Sequence, residues 1–152
     1  MKWTSFPLLM ACIALVSCST FKEYNEDGFE TLIWEPDQEI TFRPVIDDIS
    51  TTYRLGLGMR HIFGFYQSNI RVSVRIISPS GIHTLKMYDF KVKEDDGDYV
   101  GSCAGDTCDL ETIVDENITF TETGEHTIIL THSDRRNQIG GVLAVGLVLD
   151  KN

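Results

Sequence analysis

From about Leu32 to the C-terminus, apolar and polar residues alternate in short runs. The run Tyr53 to Arg60 (YRLGLGMR) alternates strictly, with Tyr53, Leu55, Leu57 and Met59 on one face. Ile70 to Ile76 (IRVSVRI) repeats the pattern, and Ile40 to Ile46 follows it around Pro44. The runs 83–92, 118–120, 126–131 and 142–149 complete the set. A period of two with many β-branched residues is the signature of half-buried strands. The breaks carry turn chemistry: Ser78-Pro79-Ser80-Gly81, Glu94-Asp95-Asp96-Gly97, Thr123-Gly124 and Gly140-Gly141. No stretch shows a long apolar stripe at helical spacing. The pattern predicts one all-β domain over 31–152, a single antiparallel β-sandwich of jelly-roll or immunoglobulin-like type. Pro44 is expected at an edge or a bulge, and Gly56, Gly58 and Gly146 at bulges or close packing.

The N-terminus follows another rule. Lys2 precedes an apolar segment, Phe6 to Val16, whose length of about ten residues is too short to span a bilayer. It closes on Leu15-Val16-Ser17-Cys18, which resembles a bacterial lipobox. The expectation is a signal peptide over 1–17 and a lipid on Cys18. The residue after the cysteine is Ser19, which by resemblance to lipoproteins of double-membraned bacteria favours the outer membrane. The polar, aperiodic stretch that follows predicts a tether over 18–30.

Charge narrows the partners. The chain carries 23 acidic and 13 basic residues, a formal net charge of −10, and loss of Lys2 with the signal peptide makes it more negative still. Such a domain does not suit nucleic acid, whose phosphates are bound by cations. It does not suit a flat seat on anionic headgroups either, which leaves the lipid as the expected membrane contact. No second apolar run approaches the roughly 18 residues of a transmembrane helix.

Chemistry-bearing motifs are sparse. Cys103 and Cys108 flank a short loop that can close through Gly105, so a structural disulfide is expected in an oxidising compartment. The four histidines, His61, His83, His126 and His132, show no metal-ligand spacing and read as surface groups. The acidic run Glu94, Asp95, Asp96 and Asp98 lacks the spacing of a calcium loop and reads as a solvated turn. Arg135-Arg136 forms a basic turn. No nucleophile elbow, phosphate loop or dinucleotide fingerprint occurs, so no enzyme, cofactor or metal is expected. The aromatic loop His61 to Gln67 (HIFGFYQ) stands out between two strong strands. With neighbouring Tyr53 and Arg60, its Phe63, Phe65 and Tyr66 are the candidate partner-binding residues.

The order of these landmarks resembles the gliding-motility lipoprotein GldH family of Bacteroidota. The resemblance is carried by Trp34 before the first strand, and by Asp47 to Tyr53 leading into Leu55 to His61. Further along come Phe65 to Asn69 before Ile70 to Val74, Gly97 to Gly101 with Gly105-Asp106, and Gly140 to Leu147. The turn reads FYQSN, without the proline of the family pattern. The resemblance implies a non-catalytic, lipid-anchored envelope protein, accessory to gliding motility and the type IX secretion machinery, that works by contacting envelope proteins. The competing expectations are a carbohydrate- or peptidoglycan-binding module and, behind it, an unrecognised hydrolase.

Overall fold

The computed structural model describes residues 20–134 and 138–152. The signal-peptide stretch, Cys18 and the Arg135-Arg136 turn lie outside the described residues. Among the described residues every regular element is a strand: β1 Thr20–Asn25, β2 Ile33–Trp34, β3 Ile40–Phe42, β4 Val45–Ile46, β5 Tyr53–Ile62, β6 Asn69–Ile77 and β7 His83–Lys91. The chain continues with β8 Ser102–Ala104, β9 Thr107–Ile118, β10 Gly124–Glu125, β11 Thr127–His132, β12 Ile139–Gly140 and β13 Val142–Lys151.

Two antiparallel sheets form the sandwich. The first runs β1-β13-β5-β9-β8 and the second β3-β11-β6-β7. The short pairs β10-β4 and β12-β2 tie the ends, and neither main sheet closes into a barrel. Alternation in the sequence becomes alternation across each sheet. Leu55, Leu57 and Met59 of β5 face Val72 and Val74 of β6 and Ile128 and Leu130 of β11 in one buried core, to which Trp34 and Phe42 add the largest fully buried rings. The expected turns close where the sequence breaks, with Gly81 donating to the Ser78 carbonyl at 2.9 Å and Gly97 to that of Glu94 at 3.0 Å.

Three expectations change. The tether over 18–30 gives way to a strand: Thr20 to Asn25 pair in register with Asp150 to Val145. Phe21 packs against the core and Tyr24 lies over the sheet. Their hold comes from a ladder with β13 rather than from an apolar stripe. The chain after the cysteine loop is likewise a strand. β9 fills the position between β5 and β8; its carboxylates Asp109 and Glu111 interrupt the apolar signal while Cys108 and Leu110 point inward. The run 40–46 splits at Pro44, with β3 pairing to β11 and β4 to β10. Proline has no amide hydrogen to donate to a ladder, and its carbonyl accepts from His126 at 2.9 Å instead.

Candidate surface site at one end of the sandwich

The β5–β6 connection is folded over the end of the core, and its aromatics divide. Phe65 is buried at 1% exposure, whereas Phe63 and Tyr66 stand out at 63% and 79%. The backbone enforces this split. Ile62 donates to the Gly141 carbonyl at 2.9 Å, Phe63 to that of Asp106 at 2.8 Å, and Phe65 back to that of Ile62 at 3.2 Å. The turn is thus pinned to two neighbouring loops, and its side chains alternate between core and solvent.

Tyr99 is the pivot of the cluster. Its hydroxyl accepts the Gly64 amide at 2.8 Å, and its ring meets Phe63 edge-on at 5.8 Å and His61 at 5.0 Å. The Lys93 ammonium lies 5.1 Å from the Tyr99 ring centre. Val100 and Leu32 add exposed aliphatic surface at this end. Leu32 holds a positive φ of 57°, and its carbonyl accepts from Gly141 at 2.6 Å and Val142 at 3.1 Å. An apolar, aromatic patch of this kind suits contact with another surface.

The remaining candidates lie elsewhere. Tyr53 is 3% exposed and sits at the opposite end, donating to the Asp48 carbonyl at 2.8 Å and packing edge-on against Phe120 at 5.2 Å. Tyr53 and Phe65 are therefore core residues, which corrects their reading as contact residues: both rings fill space between the sheets. Arg60 is half-buried on the outer face of the first sheet, held by Asp109 at 2.7 Å and Glu26 at 3.2 Å. Its guanidinium serves those carboxylates. Cys103 and Cys108 are joined across the β8–β9 hairpin, with an S–S distance of 1.99 Å.

Three of the four histidines are buried rather than at the surface. Backbone carbonyls explain this: His61 Nδ1 lies 2.9 Å from the Ile62 oxygen, His126 Nδ1 3.1 Å from that of Gly124, and His132 Nε2 3.0 Å from that of Trp34. Burial lowers the pKa values of His61 and His132 below the ordinary imidazole range. Among the described residues no group of three His, Cys, Asp or Glu side chains could hold a metal ion. The acidic turn at 94–98 is solvated, with Lys91 paired to Glu94.

The platform formed by Tyr24 was not among the candidate sites. Its ring lies flat over Gly58 and Gly146, with no room for a Cβ at either position. Its hydroxyl donates to Glu111 at 3.2 Å, and Lys22 pairs with the same carboxylate at 2.6 Å. Burial, then the Glu111 charge, pushes the Tyr24 pKa up to about 12. The close-packed glycines of β5 and β13 were the available signal, but the aromatic that fills them lies in a stretch without period.

These features define a two-sheet antiparallel β-sandwich with an aromatic contact patch at one end. The chain belongs to the GldH lipoprotein family, whose family model matches residues 20–149. It is similar to the gliding motility lipoprotein GldH of Flavobacterium johnsoniae, at 24% identity over 144 residues, 94% of this chain and 89% of that relative. The family makes it a gliding-motility-associated lipoprotein, associated with the cell envelope through lipid. Among solved structures it is similar to TmCBM61 in complex with beta-1,4-galactotriose, at a TM-score of 0.34 and 11% identity, covering 90% of each chain. A second is the enzymatically active domain of bacteriophage CBA120 tailspike protein 4, at a TM-score of 0.32 and 8% identity, covering 90% of this chain and 18% of that one.

Proposed function

We propose that this protein is a non-catalytic envelope accessory of the gliding and type IX secretion machinery. Cys18 carries its lipid after removal of residues 1–17, in the outer membrane. It works by holding a protein partner against Phe63 and Tyr66. The observation that carries the reading is the pair of large aromatics exposed on a loop whose backbone is fixed on both sides. Burial of exposed aromatics is a strong source of interface energy when the loop pays little ordering entropy.

The test is a Phe63→Ala, Tyr66→Ala double variant in the native host. Colony spreading and crosslinking to envelope proteins are expected to be lost, with membrane fractionation and the thermal midpoint unchanged. Unchanged spreading would remove the contact surface from the proposal. The same two rings offer a stacking face for a sugar, so titration calorimetry with peptidoglycan fragments is the parallel measurement. Saturable heat abolished by the double variant would move the function to glycan binding. A Cys18→Ala chain should leave the membrane fraction or remain unprocessed.

A further inference from the structure

The N-terminal strand fixes how the domain meets the membrane. Strand β1 begins at Thr20, and two residues of fully extended chain from Cys18 reach at most roughly 7 Å. β1 is built into the sandwich: six consecutive residues pair with β13, Phe21 packs on the core, and Tyr24 is seated over Gly58 and Gly146. No slack remains between a lipid on Cys18 and the folded domain.

The pairing also identifies the end that is held down. Thr20 pairs with Asp150, the neighbouring Lys151 with Tyr53, and Tyr53 with Ile118. Phe120 stacks edge-on against both Tyr53 and His126, which carries the same end across to the second sheet. There the turn around Pro79 packs beside Gly124, which pairs with Ile46 of β4. Three exposed aliphatics cap this end, Val45, Ile49 and Ile82. Several charges around them are paired: Lys151 with Asp47 and Asp48 at 3.6 and 3.0 Å, Arg54 with Asp150 at 3.5 Å, and Arg43 with Glu125 at 3.6 Å. The Glu122 carboxylate beside Ile82 is held by the Ser78 and Ser80 hydroxyls at 2.8 and 2.6 Å. Exposed aliphatics beside carboxylates that are mostly neutralised by a neighbour match a zwitterionic lipid surface, which carries no net charge to repel the acids that remain.

We propose that this end of the sandwich rests directly on the bilayer, with Ile49 and Ile82 entering the headgroup region. The Phe63–Tyr66 end then points away from the membrane. The inference rests on the reading of Cys18 as the lipidated residue.

The experiment uses the full lipidated chain, purified from envelopes and reconstituted into vesicles of phosphatidylethanolamine and phosphatidylcholine. Ile49→Cys, Ile82→Cys and Phe63→Cys are labelled without reductant with an environment-sensitive fluorophore, and nitroxide-bearing phosphatidylcholine is the quencher. Labels at 49 and 82 should lose about half their fluorescence or more if they enter the acyl boundary, and the label at 63 little. Equal quenching at the three positions in a chain whose mass shows the lipid overturns the membrane seat and leaves the lipid anchor standing. A mass without lipid overturns both. Hydrogen exchange of the otherwise unsubstituted protein needs no label. In vesicles, amides of 47–52 and 78–82 should be slower than in the Cys18→Ser chain while those of 62–66 are unchanged, and an identical pattern in both forms overturns the seat.

Discussion

Single atoms decide the hold of β1 on the sandwich. A Cβ at Gly146 would stand 2.7 Å from Tyr24 Cε1, and one at Gly58 would stand 2.3 Å from the Tyr24 oxygen. Gly146→Ala is therefore expected to displace the ring, breaking its contact with Glu111 as well as its packing. Overpacking of this kind costs about 1–3 kcal/mol. In a Tyr24→Ala background the three ring atoms nearest that Cβ are gone, so its cost should shrink. A urea double-mutant cycle over Gly146→Ala and Tyr24→Ala reads this directly. Additive losses would show that Tyr24 is not what the glycines accommodate.

The loop between β5 and β6 shows how one short segment holds structural and contact residues side by side. Phe65 fills the core and Phe63 does not, although both are phenylalanines two positions apart. Phe65→Ala should lower the folding free energy by about 3–5 kcal/mol. Phe63→Ala should change it by no more than about 0.5 kcal/mol. Equilibrium denaturation of the two variants separates them. The elements also differ in how legible they were. β5 and β6 could be read from the chain because each presents an apolar set at period two to the core. β9 could not, because Asp109 and Glu111 occupy its outward positions, while Thr112 and, past a bulge, the partly buried Asp115 break the inward set. β1 escaped for a different reason: it is an edge strand held by one ladder and two aromatics, too little apolar pattern to distinguish it from a linker. The aromatic loop was legible as a site. Which rings face outward was not, since that depends on hydrogen bonds to Asp106 and Gly141, far away in sequence.

At the scale of the molecule, acid should act in two steps. His61 closes β5 in the first sheet and His132 closes β11 in the second, both buried with depressed pKa values. Near pH 6.5 the unfolded chain takes up protons at these imidazoles that the folded chain refuses. Stability thus holds above the ordinary imidazole pKa and is lost as pH falls from there toward the depressed folded values. Carboxylates govern the second step. Asp48 is held down to about 2 by hydrogen bonds from Ser50 and Lys151, Asp89 is lowered by Arg71, and Glu122 by Ser80 and Ser78. Their contribution is present above the ordinary carboxylate pKa and lost as pH falls through the folded values. Urea midpoints should therefore fall between about pH 6.5 and 5, and again below about pH 4. In the native protein the His61 and His132 ring resonances should stay on the neutral side at pH 6.5. A midpoint flat from neutrality down to the carboxylate range would show that the two buried imidazoles exert no pull on the fold. The first step would then have to be withdrawn while the second stood.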